Sequence, residues 1–355
     1  MIKILIVDDL KSAREIIRDM LASDPNIHVC GMADNREDAV AMVKGHHPHL
    51  IILDSCLKRT SGYEVAEAIM KVRPTPIIMV TASSDTLADT PARAFGCGVL
   101  EVIKKGDLYR WRTRPDVAAG FIRKIKLISK VSRLSIKKHF EAAEARLRTP
   151  DSVKRVSLDT IGNQKDGAKG IAIVSSTGGP NALIQILRAL PADFPTPILI
   201  VQHMSPGFIQ GLAEWMDHEE HIRVRVAQDN EALLPGEALL APDRAHLTVA
   251  KNHRIKLLQS PPLGGHKPSG NTLLKSVGEH YGPQALGIIL TGMGNDGAQG
   301  MAALKAAGGK TIAQDKTTSV IFGMPGSAIN LGVVDHVLPL SQIPSAIKRF
   351  VKTGL

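Results

Sequence analysis

The sequence predicts two α/β domains in tandem. An N-terminal doubly wound sheet of five parallel strands is expected over residues 1–125, and a C-terminal doubly wound α/β domain with a short antiparallel extension over residues 169–355. Three observations carry this. In both regions, short runs of β-branched and aliphatic residues alternate with stretches of helical periodicity. Between them, residues 126–168 contain no β-like run and are rich in Lys and Arg. The acidic and nucleophilic residues fall at the ends of the runs, the edge where open parallel sheets bind ligands.

The N-terminal runs are KILIVDD, IHVCGM, HLIILD, PIIMVTA and GVLEVIKK. Between the first two, Ala13, Ile16, Ile17, Met20 and Leu21 repeat at helical spacing, with Ser12 placed to cap that helix. Between positions 123 and 155 there are eleven Lys or Arg against three acids, Glu141, Glu144 and Asp151. The start of this segment can continue the last helix of the first domain, whereas DTIGNQKDGAKG is polar and loop-like, so 126–168 is a basic linker. From Gly170 the runs GIAIVSS, PILIVQH, VRVA, EALLAP, HLTVA, RIKLLQ, ALGIILTG and GKTIAQD follow, with helices expected at 180–190, 208–216, 272–281, 296–307 and 343–351. The close spacing of the runs at 223–258 places the antiparallel extension there.

The chain has 355 residues, 44% of them hydrophobic and 22% charged, and no apolar run approaches the roughly 20 residues that span a bilayer. The start, MIKILIVDDL, lacks the features of a signal peptide, so a cytoplasmic protein with no membrane insertion is expected. Cys30, Cys56 and Cys97 are an odd number without CxxC spacing, which argues for buried thiols rather than disulfides or zinc. The net charge of +10 could serve nucleic acid, but most of the excess lies in 123–155 and no helix-turn-helix pattern accompanies it, so no direct nucleic-acid partner is expected.

In the first domain, Asp8 and Asp9 end the first run, Asp54 the third and Thr81 the fourth, and Lys105 follows the fifth. A parallel sheet gathers all these ends on one edge. Three carboxylates exceed what one lysine can pair, and suit a hard divalent cation such as Mg²⁺ beside an aspartate that accepts a phosphoryl group. This arrangement resembles the receiver domain of two-component response regulators, a flavodoxin-like fold, and the interval from Asp54 to Gly62 matches that family. The resemblance implies Asp54 as phosphoacceptor, Mg²⁺ held by Asp8, Asp9, Asp54 and the main-chain carbonyl of Cys56, and Thr81 and Lys105 as the switch residues that contact the phosphoryl group. The chain departs from the family pattern at Lys58, Val102 and Gly106, positions that bear on switching.

In the second domain, Ser175 and Ser176 follow GIAIV, His203 follows PILIVQ, and Asp296 lies in TGMGNDG after ALGIIL. The stretch IVSSTGGPNAL could be a phosphate cradle, a helix cap or the seat of a nucleophile. It lacks the Lys-Ser/Thr of a P-loop and is neither G-x-G-x-x-G nor G-x-S-x-G, which leaves the cap and the nucleophile. A serine needs a base to become nucleophilic, and a histidine steadied by a carboxylate supplies one.

SSTGGPNAL, VQHMSPGF, LLPGEALLAPDRAHLTV, TGMGNDGAQGM and AQDKTTSVIFGMPGSA together resemble the chemotaxis protein-glutamate methylesterase family, over nearly all of 170–340. The resemblance implies Ser176 as nucleophile, His203 as base and Asp296 as orienting acid. Thr177 falls at an active-site position and the Met293 amide in the oxyanion hole. The implied activity is hydrolysis of glutamate methyl esters on methyl-accepting chemoreceptors, with deamidation of receptor glutamines at the same site and no cofactor for the ester chemistry. The implied partners are those receptors and a histidine kinase that phosphorylates Asp54. A monomer recruited to receptor arrays is expected, its receiver covering the Ser176 edge until phosphorylated and the linker setting how far the domains part. Val174, where glycine is usual, and Lys267, where arginine is usual, depart from the family pattern.

Overall fold

The computed structural model describes residues 1–82, 89–137, 140–141, 169–219 and 222–353. It divides into two compact units, Met1–Pro150 and Asp151–Leu355. Residues 142–168, most of the expected linker, lie outside the described residues.

The first unit holds strands β1 (Ile2–Val7), β2 (Ile27–Ala33), β3 (Leu50–Asp54), β4 (Ile77–Thr81) and β5 (Glu101–Lys104) in the order β2-β1-β3-β4-β5, all parallel. Helices α1 (Lys11–Leu21), α2 (Arg36–His46), α3 (Gly62–Val72), α4 (Asp89–Gly96), α5 (Lys105–Tyr109) and α6 (Pro115–Ile128) connect or follow them. Every residue of β3 and β4 is buried, as expected of interior strands covered on both faces. Helix α1 buries Ala13, Ile17, Met20 and Leu21, the predicted stripe, while Ile16 is half-buried at its margin. The strand order reverses between β1 and β3, so Asp8, Asp9 and Asp54 flank the crevice where such sheets bind ligands. Beyond α6, Ile136 and Phe140 are buried too, and Phe140 packs over Gly98.

Ser12 does not cap α1: the helix already begins at Lys11 with Leu10 at the cap position and no side-chain cap bond. The Asp8 carboxylate accepts the Leu10 N–H at 3.0 Å, which turns the chain into the helix before Ser12 is reached. Nor are all three thiols buried. Cys97 is, and burial pushes it up to about 12, but Cys30 is half-buried and Cys56 is exposed in the loop after Asp54.

The glycine at position 62 has a steric cause. Its N–H donates to the Ser55 carbonyl at 3.0 Å, and a Cβ there would lie 1.9 Å from the Asp54 carbonyl oxygen. Gly62→Ala is therefore expected to cost the receiver about 3 kcal/mol or more, since backbone cannot yield as a side chain does. The check is a urea titration followed by Trp111 fluorescence in a Trp215→Phe background, in which the transition moves to lower denaturant.

The second unit is built on seven parallel strands in the order β14-β13-β12-β6-β7-β9-β8. They are β6 (Gly170–Ser175), β7 (Ile198–Gln202), β8 (Arg223–Val226), β9 (Glu237–Leu240), β12 (Ala285–Ile289), β13 (Lys310–Gln314) and β14 (His336–Leu338). Strands β10 (His246–Ala250) and β11 (Arg254–Leu258) form a separate antiparallel pair. The helices are α7 (Gly179–Arg188), α8 (Ile209–Glu219), α9 (Gly270–Tyr281), α10 (Ala298–Ala306), α11 (Met324–Asn330) and α12 (Ile343–Thr353).

The antiparallel extension is thus confined to β10 and β11. Strands β8 and β9, expected in it, belong to the parallel sheet, because EALL of β9 is buried at all four positions as an interior strand between β7 and β8. Helix α10 starts at Ala298, after Gly297 with φ 98°, so Asp296 stands outside the helix it was expected to open. Strand β6 is central, with β7 on one side and β12 on the other, and the chain reverses its direction of travel across the sheet between β6 and β12. Among the described residues, no helix is long and apolar enough to cross a membrane.

Candidate functional sites

At the β1/β3 crevice of the first unit, ligand atoms of Asp8, Asp9 and Asp54 lie within 4.8 Å of one another. The Lys105 ammonium sits between two of them, 2.5 Å from Asp54 Oδ2 and 2.7 Å from Asp8 Oδ2. Only the Asp54 contact is aligned as a hydrogen bond; the approach to Asp8 is an ion pair off that direction, so Asp8 Oδ2 stays unsatisfied. The Thr81 hydroxyl is buried without a partner as well. One ammonium against three carboxylates, with two buried oxygens unsatisfied, is the donor set a hard divalent cation fits. Cys56 and Ser61 bridge the loop beside it, and a cavity of about 860 Å³ lined by Asp9, Lys58 and Arg59 opens there.

Burial pushes the Asp54 carboxyl up to about 6, against the pull of Lys105 and with added repulsion from Asp8. For Lys105 burial pulls down, but its hydrogen bond to Asp54 and its ion pair with Asp8 outweigh this and raise it. The lysine is therefore charged at neutral pH, and ionised Asp54 costs the fold. A carboxyl raised from 3.8 to about 6 loses stability for the folded state as pH climbs through that window, about 3 kcal/mol once pH exceeds 6. Asp54→Asn is expected to stabilise the receiver at pH 7 without divalent cations by up to that amount. The gain vanishes below pH 4, where both states hold the proton; a pH-independent difference in urea midpoints contradicts it.

In the second unit, Ser176 leaves the carboxyl end of β6, His203 that of β7, and Asp296 lies in the loop after β12. The sheet so brings the three candidates to the ends of three adjacent strands. The His203 N–H donates to the Ser175 carbonyl at 2.9 Å, which ties its loop to the central strand, and the Ser176 N–H donates to the Thr291 carbonyl at 3.0 Å, which ties its loop to the segment after β12. Gly178, with φ 79°, turns the chain into α7, and a Cβ on Gly179 would lie 2.1 Å from Gln202 Oε1. The double glycine of STGG thus makes the sharp, close turn that leaves Ser176 half-buried at the edge.

Ser175 is fully buried and donates to Gln202 Oε1 at 2.7 Å. The Gln202 amide in turn donates to the carbonyls of Ser176 and His203, at 2.9 and 2.8 Å. Gln202 therefore braces both loops, a role that sequence reasoning missed although it stands next to His203. Thr177 is buried, and its carbonyl accepts from the Thr291 hydroxyl at 3.0 Å. The Gly292–Met293 turn abuts the serine, since a Cβ on Gly292 would lie 2.8 Å from Ser176 Cβ.

His203 Nε2 lies 2.9 Å from Asp296 Oδ2. The ring is not aimed in line with it, and neither ring nitrogen has an aligned hydrogen bond, so the contact is electrostatic. Asp296 also takes the Gly270 N–H at 2.6 Å on Oδ2, with the Asn271 N–H at 3.1 Å and the Ser269 hydroxyl at 3.0 Å on Oδ1. It therefore sits on the N-terminus of α9, where amides and helix dipole favour a negative charge. Burial alone raises its carboxyl, but His203 and these amides outweigh burial and hold it at about 2. Val174 packs here too: a Cβ on Gly270 would fall 2.3 Å from its Cγ1, so the glycine makes room for the valine. Lys267 instead donates to the Gln259 carbonyl at 3.2 Å, away from the carboxylate. The residues 269–271 and His266, which stacks on His203, carry no periodicity that would have flagged them.

Residues 171–347 match the CheB methylesterase family, and residues 4–108 the response regulator receiver domain. A protein from Syntrophus aciditrophicus (strain SB) named protein-glutamate methylesterase/protein-glutamine glutaminase 1 is 40% identical, covering 98% of both chains. A protein of the corresponding name from Pyrococcus horikoshii is 35% identical over 99% of this chain and 94% of its own. The crystal structure of the Thermotoga maritima CheB methylesterase catalytic domain shares 41% identity, covering 51% of this chain and 97% of that one, with a TM-score of 0.49. With such identity along nearly its whole length, the chain belongs to the CheB methylesterase family, a response regulator receiver domain preceding its methylesterase domain.

Proposed function

We propose that this protein hydrolyses glutamate methyl esters on chemoreceptors, and deamidates receptor glutamines at the same site, under control of Asp54 phosphorylation by a histidine kinase. The observation that carries the reading is the 2.9 Å contact between His203 and Asp296 at the strand ends flanking Ser176. With Nε2 turned to Asp296, His203 Nδ1 is the nitrogen that accepts the Ser176 proton. Ser176 Oγ then bonds to the ester carbonyl carbon, and the oxyanion takes the Met293 N–H. Collapse breaks the bond to methoxide, which leaves as methanol with the proton from His203. Water, deprotonated by His203, attacks the acyl-serine and releases glutamate and Ser176. With a glutamine side chain the leaving group is ammonia.

Asp296 stays ionised throughout and stabilises the His203 cation that forms. In the receiver, Asp8, Asp9, Asp54 and the Cys56 carbonyl would hold Mg²⁺, which would supply charge neutralisation for phosphoryl transfer to Asp54, while Lys105 and Thr81 would contact the phosphoryl oxygens. Residues 1–125 act as this input, 126–168 as the link and 169–355 as the hydrolase.

The test is methanol release from purified receptor membranes with methylated glutamates, with and without an acyl-phosphate donor and Mg²⁺. Release by the wild-type chain, raised several-fold by the donor and not raised in Asp54→Ala, is the expected result. No release sinks the enzymatic reading, and a rate indifferent to the donor sinks the regulatory one.

A further inference from the structure

We infer that His266 is a positioning residue for the esterase reaction, holding the plane of the His203 ring so that Nδ1 meets the Ser176 proton. This rests on the reading of Ser176, His203 and Asp296 as the reacting set. The two imidazoles are stacked, ring centroids 4.4 Å apart and planes 19° from parallel. Asp296 touches the His203 ring at one atom, Nε2, and neither ring nitrogen has an aligned hydrogen bond. One off-line contact fixes where that corner of the ring lies but leaves the ring free to swing about its bond to the side chain. A swing of that kind moves Nδ1 toward or away from the serine. A flat neighbour against the face resists it, and aromatic pairs favour such offset contact.

The local backbone sets this neighbour in place. Leu263 and His266 exchange both main-chain hydrogen bonds, at 3.0 Å each, around a two-residue turn whose Gly264 and Gly265 have φ of 59° and 84°. That pairing defines a tight hairpin end and fixes the direction of His266. Three residues on, Ser269 donates its hydroxyl to Asp296 and its N–H to His246 Nδ1, at 3.0 and 3.1 Å. One short segment, 263–271, thus presents a ring to the base and donors to the acid. Ligand atoms of His203, His266 and Asp296 all fall within 4.8 Å of one another, which puts His266 against the reacting groups.

The test uses the full chain and methylated receptor membranes, and compares His266→Ala, His266→Gln and His266→Phe. The alanine and glutamine variants are expected to lose about tenfold or more in kcat with KM within about twofold, the pattern of misplaced reacting groups. Phenylalanine restores a flat face and is expected to recover most of the rate. A parallel measurement of Ser176 labelling by a fluorophosphonate should follow the same order. Wild-type kcat in the alanine variant overturns the inference, as does a loss confined to KM, or a phenylalanine variant as slow as glutamine. Should alanine lower the unfolding temperature, the phenylalanine-to-glutamine comparison still decides. His203→Ala separates the two claims: full activity there sinks the underlying reading, whereas loss there with none in the His266 variants sinks only this one.

Discussion

Ser176→Ala is expected to lower methanol release by about 10⁴-fold or more, the scale on which a serine hydrolase loses rate when its nucleophile is removed. The fold should not follow. Ser176 is anchored by its main chain, N–H to Thr291 and carbonyl to Gly179 and Gln202, and all of these bonds survive truncation to alanine. Its neighbour supplies the contrast. Ser175 is fully buried and its hydroxyl bonds Gln202 Oε1, so Ser175→Ala leaves a buried acceptor unpaired and costs about 1–3 kcal/mol of stability. Methanol release and thermal midpoints on the two variants assign the roles: Ser176→Ala inactive but stable, Ser175→Ala destabilised but with residual activity. More than about a hundredth of the wild-type rate in Ser176→Ala eliminates that serine as nucleophile.

What could be read from residues alone depended on how local the cause was. The receiver sheet was legible because HLIILD and PIIMVTA are uninterrupted apolar runs that end on Asp54 and Thr81, and both became fully buried interior strands. The positions of Ser176, His203 and Asp296 at strand ends were legible for the same reason. That β12, β6 and β7 are neighbours was not, because strand order is set by packing between segments far apart in the chain. Strand β14 and helix α11 went unseen: HVL is too short for an alternation, and MPGSAIN has a proline and a glycine in its first turn. Ser12 misled because capping propensity is a weak local preference, overridden once the Asp8 carboxylate took the Leu10 amide. The link from Asp296 to residues 269–271 is another long-range contact, and the helix expected at 296–307 had placed this aspartate on a different helix.

Asp296→Asn is expected to damage both chemistry and fold, and the two losses separate by pH. An amide cannot stabilise the His203 cation, and the analogous change in serine hydrolases costs about 10⁴-fold in kcat. The fold loses as well, because Asp296 anchors the start of α9 through the Gly270 and Asn271 amides and the Ser269 hydroxyl. Its carboxyl lies at about 2 instead of 3.8 because His203 and those amides outweigh burial. The sign follows from linkage: a depressed carboxyl adds stability that is complete above 3.8 and is lost as pH falls toward 2. The difference corresponds to about 2 kcal/mol at pH 7. Asparagine that keeps its oxygen for Asn271 and Ser269 turns an amino group toward both the Gly270 N–H and His203 Nε2, which share the other oxygen, so most of that stability should go. Urea midpoints of the two chains should therefore differ at pH 7 and converge as pH drops below 4, while activity is lost at every pH. A stability gap that does not narrow in acid would trace the loss to packing around Val174 and Gly270 rather than to the charge. A chain that keeps its kcat would remove Asp296 from the reacting set and leave it as the anchor of α9 alone.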